Sequence, residues 1–107
     1  MNDAQQIQGA EEVQLAVPIK AHGEEVHALA LRRPTTAEVR RIGRMPYIAL
    51  DESGKVTPDM GVVPAYIAVC AGIPPSSVDQ IDLSDLNQLA WTIAGFFLAP
   101  ASPASRN

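Results

Sequence analysis

The side chains best suited to chemistry lie in one predicted turn and one apolar segment. His22 and His27 flank Glu24 and Glu25, and imidazole and carboxylate groups are both zinc ligands. No cysteine or third histidine stands beside them to complete a tetrahedral site, so a solvated turn is the favoured interpretation. Cys70 is the single cysteine, and its apolar neighbours favour a small buried residue over a nucleophile. The sequence therefore predicts no catalytic residue, no metal and no cofactor, and a protein that is not an enzyme.

The densest group of charged side chains is a cluster of arginines. Of the eight Lys and Arg residues in the chain, five lie close together: Arg32, Arg33, Arg40, Arg41 and Arg44. Two interpretations stay open. The cluster is either a solvated face balanced by acidic residues elsewhere, or a patch that recognises an acidic partner or a neighbouring subunit. The net charge of −4 disfavours nucleic acid as that partner.

The composition is that of one small globular domain. The chain has 107 residues, of which 47% are hydrophobic and 19% are charged, and its few aromatic residues predict a mainly aliphatic core. One cysteine suits a reducing compartment. The polar first residues do not have the pattern of a signal peptide, and no apolar run reaches membrane-spanning length. We therefore expect a cytoplasmic protein with no membrane association.

The first part of the chain alternates between apolar and polar residues after a polar start. Residues 1–12 show no periodic pattern and are predicted to be a flexible tail. Apolar side chains then recur at every second position on both sides of a turn at residues 21–24, where Gly23 supplies a positive φ. The predicted β-hairpin of residues 13–32 places one set of side chains on a shared face: Val13, Leu15, Val17, Ile19, His27, Leu29 and Leu31.

Residues 35–99 complete a single domain and are predicted to be helical. The fold class is therefore α+β, with an N-terminal β-hairpin followed by three to four α-helices that form a small bundle. Thr35 and Glu38 have the spacing of a capping box, which starts a helix at residues 36–44. The predicted buried pair of this helix is Val39 and Ile42. Residues 45–58 hold prolines, a glycine and mixed charges, and they are predicted to be a loop.

Three helical segments are predicted after this loop. An apolar run over residues 63–71 tolerates Pro64 only in a first turn, and Gly72 is placed to end the helix. A one-turn helix follows the next two prolines. The last helix spans residues 85–98, with Ser84 as its predicted N-cap.

The last helix has a wider apolar zone than one interface needs. At 100° per residue, six apolar side chains fall within an arc of roughly 120°: Leu86, Leu89, Ala90, Ile93, Phe96 and Phe97. We expect four of these to suffice for the core: Leu86, Leu89, Ile93 and Phe97. The remaining apolar side chains are predicted to contact a client protein or a second copy of the chain: Trp91, Phe96 and Leu98. Residues 100–107 form a second predicted tail.

Three stretches resemble the phage tail assembly chaperones of Mu-like and related tailed phages and prophages. The hairpin that leads into LALRRPTTAEVRRI is similar to the family's passage from an alternating strand into a helix. IAVCAGIPPSSVDQIDLSDL is similar to its apolar helix, Pro-Pro linker and short helix. LAWTIAGFFL resembles its closing apolar helix. Together these stretches span about residues 13–98, most of the chain.

The resemblance implies a role in virion morphogenesis. Such proteins bind the tape measure protein, with tail tube subunits as further candidate partners, before the tail polymerises. They act in the cytoplasm of the bacterial host, are absent from the finished virion, and have no known enzymatic activity or cofactor. An association between copies of the chain is a further expectation.

Two other classes of protein stay open. One is a prophage DNA-binding regulator or antitoxin, although its would-be recognition helix carries neither Arg nor Lys with which to contact phosphates. The other is a structural tail accessory protein, which would be found in purified virions.

Overall fold

The fold is α+β, as the sequence predicts. The computed structural model describes residues 10–98. Residues 1–9 of the predicted tail at 1–12 and all of the predicted tail at 100–107 lie outside the described residues, whereas residues 11 and 12, which we expected to be part of the first tail, begin the first strand. In chain order the elements are two strands, a helix, two short strands and three helices. The strands form two separate two-stranded antiparallel sheets.

The first sheet is a long, irregular hairpin. Strand β1 (Glu11–Ala21) pairs with β2 (Glu24–Leu31), and the turn between them has positive φ at His22 and Gly23. The register shifts between Gln14, opposite Ala28, and Ile19, opposite Val26. Four residues of β1 therefore face one residue of β2, and the first strand bulges away from its partner.

Because of this bulge, the predicted orientation of two side chains is wrong. Val17 lies inside the bulge and is 44% exposed, although strict alternation predicts it to be buried. His27 is the residue opposite the bulge, and it too is exposed, beside Glu25. An irregular register moves side chains to the other face of a strand, which is why alternation failed at these two positions.

Side chains from later in the chain cover part of the outer edge of β1. The Gln80 side-chain amide accepts a hydrogen bond from the Lys20 amide nitrogen at 2.8 Å and donates to the Lys20 carbonyl at 3.1 Å. The buried Ser77 hydroxyl donates to the same carbonyl at 2.7 Å. These contacts satisfy backbone groups that a free strand edge would leave unpaired.

Helix α1 (Thr36–Ile42) starts at the predicted capping box. The Glu38 amide donates to the Thr35 hydroxyl at 3.2 Å, and the Thr35 amide donates to the Glu38 carboxylate at 2.9 Å. Gly43 ends the helix with φ of 88°. The predicted buried pair is only half-buried, because this short helix lies at the margin of the core.

The predicted loop at residues 45–58 is instead a second hairpin. Strand β3 (Tyr47–Ala49) pairs with β4 (Val56–Pro58), and the Leu50 amide donates to the Lys55 carbonyl at 2.8 Å. Three-residue strands are too short to show alternation. Contacts with distant residues hold the hairpin, among them the Tyr47 ring, which packs edge-on against Phe97 with ring centroids 6.1 Å apart.

The last three helices carry most of the core. Helix α2 (Val63–Ala71) has Pro64 in its first turn and ends at Gly72, as predicted. Helix α3 (Pro75–Val78) follows the two prolines, and α4 (Leu83–Leu98) closes the fold.

The start of α4 differs from the prediction. Asp82, rather than Ser84, precedes the first helical residue, and its carboxylate accepts hydrogen bonds from the Ser84 amide and hydroxyl at 3.1 and 2.8 Å. Asp and Ser are both favoured N-caps, so composition alone did not distinguish them.

The predicted apolar arc of α4 is its inner face, but the roles expected of Phe96 and Phe97 are exchanged. Leu89, Ala90 and Ile93 are fully buried. Phe96, which we expected on the surface, is only 7% exposed and belongs to the core, whereas Phe97 is half-buried at its edge. Phe96 is turned away from the outer face of α4, so the set Leu86, Leu89, Ile93 and Phe97 does not by itself complete the core.

Candidate functional site

The outer face of α4 is uncharged along the whole helix. Its exposed residues carry only apolar or neutral polar side chains: Leu83, Ser84, Asn87, Gln88, Trp91, Gly95 and Leu98. A solvent-facing helix surface usually carries charged residues. We call these seven residues the α4 outer face.

Trp91 and Leu98 are the large apolar side chains at the centre and the end of the α4 outer face. They are 47% and 57% exposed. A separation of seven residues places them on the same side of the helix, two turns apart. The predicted site residues Trp91 and Leu98 are therefore together and accessible, whereas Phe96 points to the opposite side.

The one charged residue of α4 is buried. Asp85 is 3% exposed, and its two carboxylate oxygens accept hydrogen bonds from the Ala16 and Val17 amides at 3.0 and 3.2 Å. These two amides belong to the bulge of β1. Asp85 thus fixes the hairpin to the start of α4 rather than serving the outer face, a role that the sequence analysis missed.

Three of the five clustered arginines are held by internal contacts. Arg32 makes a two-bond ion pair with Glu38 at 2.9 and 2.8 Å, and Arg44 pairs with Asp59. Arg33 donates to the Phe96 carbonyl, and its guanidinium lies 5.5 Å from the centre of the Phe96 ring. These contacts brace α1 and the segments around it.

The ion pairs shift the pKa values of their carboxylates. The Arg32 guanidinium and the Thr35 amide lower the pKa of Glu38 from 4.5 to about 2, and the same pair raises the pKa of Arg32. Arg44 lowers the pKa of Asp59, with help from the Gly61 amide. These carboxylates favour the charged state and serve as structural partners rather than proton donors.

Arg40 and Arg41 differ from the other three. Both are exposed in the last turn of α1, and neither side chain forms a hydrogen bond or ion pair with the residues at 10–98. The side chains of the other three arginines, in contrast, all make such contacts.

Two hollows lie along α1, and because they share lining residues we call them together the α1 groove. One hollow has a volume of about 250 Å³, the other about 340 Å³, and Val39 and Met45 line both of them. The first also meets Arg33, Pro34, Thr36, Phe96 and Phe97, and the second Arg40, Gly43 and Arg44. The α1 groove is thus lined by apolar side chains together with three arginines, and of these Arg40 is the one whose side chain has no polar contact with the described residues.

The side chains considered for zinc binding or nucleophilic chemistry, His22, His27 and Cys70, do not form a common site. The His22 ring contacts the Gly72 carbonyl at 3.0 Å, and His27 lies 3.2 Å from Glu25. Burial raises the pKa of the Cys70 thiol to about 11, so the thiol stays protonated near neutral pH. Among the described residues, no group of three or more His, Cys, Asp or Glu side chains is placed to hold a metal ion.

The described part of the chain contains no helix that is both long and apolar enough to cross a membrane.

The fold and its exposed surfaces define a small α+β protein whose accessible features suit contacts with other proteins. The model of one protein family, described as phage tail assembly chaperone proteins, E, or 41 or 14, matches residues 12–98. The chain belongs to this family and has its general role, assistance to phage tail assembly through protein partners. Comparisons with curated proteins and with solved structures gave no match.

Proposed function

We propose that this tail assembly chaperone binds the tape measure protein through the α4 outer face. The observation that carries the proposal is the absence of charge on an exposed surface of a 16-residue helix. The described chain gives no internal reason for it, because Asp85 is buried and the core uses the opposite face. A partner that covers this surface would account for the apolar side chains exposed at Trp91 and Leu98.

The tape measure protein is the client that suits such a surface. A tape measure protein is expected to be long and helical, and an unassembled amphipathic helix exposes apolar side chains that promote aggregation. A neutral helix face can cover those side chains as a groove or stripe covers a helical peptide. Tail tube subunits are a second candidate partner. The net charge of −4 helps to keep the complex soluble.

The proposal includes where and when the protein acts. It works without catalysis or cofactor, in the cytoplasm of the bacterial host, and leaves before the virion is complete. Mass spectrometry of purified virions should then find none of this chain. Its presence there would favour a structural accessory protein instead.

Co-purification with a co-expressed phage tape measure protein tests the binding surface. Trp91→Ala should reduce the recovered tape measure protein by about tenfold, because large aromatic residues contribute strongly to binding at interface centres. Leu50→Ala is the matched control, since Leu50 is 59% exposed in the second hairpin and is not part of α4. Equal recovery with both variants would rule out the α4 outer face as the binding surface.

A further inference from the structure

The α1 groove has the chemistry of a site for an acidic helix. Its apolar lining includes Val39, Met45 and the two phenylalanines at the end of α4. Its lining also includes three arginines, of which Arg44 is paired with Asp59 and Arg40 has no carboxylate partner among the described residues, in a chain whose net charge is negative. A ligand that fits both features carries apolar side chains with carboxylates beside them.

The groove is lined by side chains and not by the backbone of an unpaired strand. The residues that line it belong to α1, to the residues next to it and to the end of α4. Backbone pairing with an extended peptide is therefore unavailable, and a helix that presents an apolar stripe is the fitting ligand. From Thr36 to Gly43 the groove follows α1 for about 10 Å, or two turns of a partner helix.

The residues of α1 differ in whether they lie on the side of the helix that faces the groove. At 100° per residue, Thr36, Val39, Arg40 and Gly43 share one side of the helix, and all four line the groove. Arg41 is turned by a further 100° and lines neither hollow. Two neighbouring arginines in the same helical turn thus differ in whether they can contact a ligand in the groove.

We propose that the α1 groove binds an acidic amphipathic helix of the client, with Arg40 contacting its carboxylates and Met45 its apolar stripe. This deepens the proposed function and rests on it for the identity of the protein that supplies the helix. The α4 outer face and the α1 groove then contact different segments of one client. The first contact depends on apolar burial and the second also on charge.

A designed peptide tests the groove directly. The probe is a 14-residue helix with leucines at positions i, i+3, i+4 and i+7 and glutamates on both flanks of that stripe. The comparison peptide has lysine in place of every glutamate. Calorimetry or fluorescence anisotropy with the full chain should show binding of the acidic peptide, at least about tenfold weaker binding of the lysine peptide, and loss of affinity as salt rises.

Two matched pairs of variants locate the site. Arg40→Glu should weaken binding of the acidic peptide by about tenfold, and Arg41→Glu by less than about threefold, because charge contacts decline with distance and screening. Met45→Ser should also weaken binding, whereas Met60→Ser should not, since Met45 and Met60 are 42% and 44% exposed and only Met45 lines the groove. Circular dichroism checks that all four variants remain folded.

Several results would overturn the inference. Equal effects of Arg40→Glu and Arg41→Glu, or equal binding of the two peptides, would show that no groove-specific charge contact exists. Binding to a double-stranded oligonucleotide but not to the acidic peptide would identify a polyanion site instead. Trp91→Ala could abolish capture of the tape measure protein while Arg40→Glu changes neither that capture nor the affinity for the acidic peptide. The proposed function would then be supported, and the proposed binding site in the groove would be refuted. If binding of the acidic peptide depends on Arg40 but the chain captures no tape measure protein, the groove is supported as a binding site and the proposed function is refuted.

Discussion

Apart from the buried Asp85, the inner face of α4 carries no charge, and the outer face carries none at all, but for different reasons. On the inner face Leu89 and Ile93 are fully buried among the strands and α2, so the core itself requires apolar residues there. On the outer face Trp91 and Leu98 are about half exposed, and no packing inside the described chain explains them. Apolarity alone therefore does not identify a binding surface. The informative observation is apolarity and neutrality where the fold does not need them.

The largest effect on stability should come from the inner face. Ile93→Ala removes a fully buried side chain and leaves a cavity, which we expect to cost about 3 kcal/mol in the free energy of unfolding. Urea denaturation followed by circular dichroism measures this value. A cost below about 1 kcal/mol would mean that Ile93 is not in a packed core and would remove the contrast between the two faces.

The next effect concerns the single charge of α4. Asp85→Ala leaves the Ala16 and Val17 amides without their partner, so we expect a loss of about 2 kcal/mol in unfolding free energy. Hydrogen exchange of these two amides should also accelerate. Asp79→Ala is the control, since Asp79 is exposed at the end of α3. Equal losses in the two variants would show that Asp85 does not hold the bulge.

A smaller, pH-dependent effect is expected where α1 is anchored. Because the pKa of Glu38 is lowered to about 2, its ion pair with Arg32 contributes fully above about pH 4.5 and is lost as the pH falls toward 2. Glu38→Gln should therefore cost about 1 kcal/mol at pH 7 and almost nothing near pH 2, with screening of this partly exposed pair taken into account. Glu52→Gln, in the exposed loop of the second hairpin, is the control. A pH-independent cost would contradict the assigned ion pair.

The smallest effect on stability should come from the outer face. Trp91→Ala should change the free energy of unfolding by less than about 0.5 kcal/mol, since no packed cavity forms at an exposed position. Thermal denaturation monitored by circular dichroism measures it. A large destabilisation would show that Trp91 serves the fold, and its apolarity would then need no partner.

Local patterns were enough to predict much of the fold. The first hairpin, the capping box at Thr35 and Glu38, and the helix that ends at Gly72 follow from neighbouring residues, as does the inner arc of α4. These features depend on alternation, helical periodicity and caps, which extend over a few residues only.

The features that sequence reasoning missed depend on distant residues. The bulge that exposes Val17 is held by Asp85, 68 residues away in the chain. The second hairpin packs on Phe97, and its three-residue strands carry no periodic signal. Within the arginine cluster, Arg44 pairs with Asp59, 15 residues away on the other side of this hairpin.

The proposed contact between a client and the α4 outer face can be observed directly at Trp91. Trp91 is the single tryptophan of the chain, so 5-fluorotryptophan places one fluorine label on that face. On addition of tape measure protein prepared without the label, we expect a shifted fluorine resonance and protection of Trp91 from a soluble paramagnetic agent. A stable complex in which the resonance and its exposure to that agent stay as in the free protein would show that the client does not cover the α4 outer face.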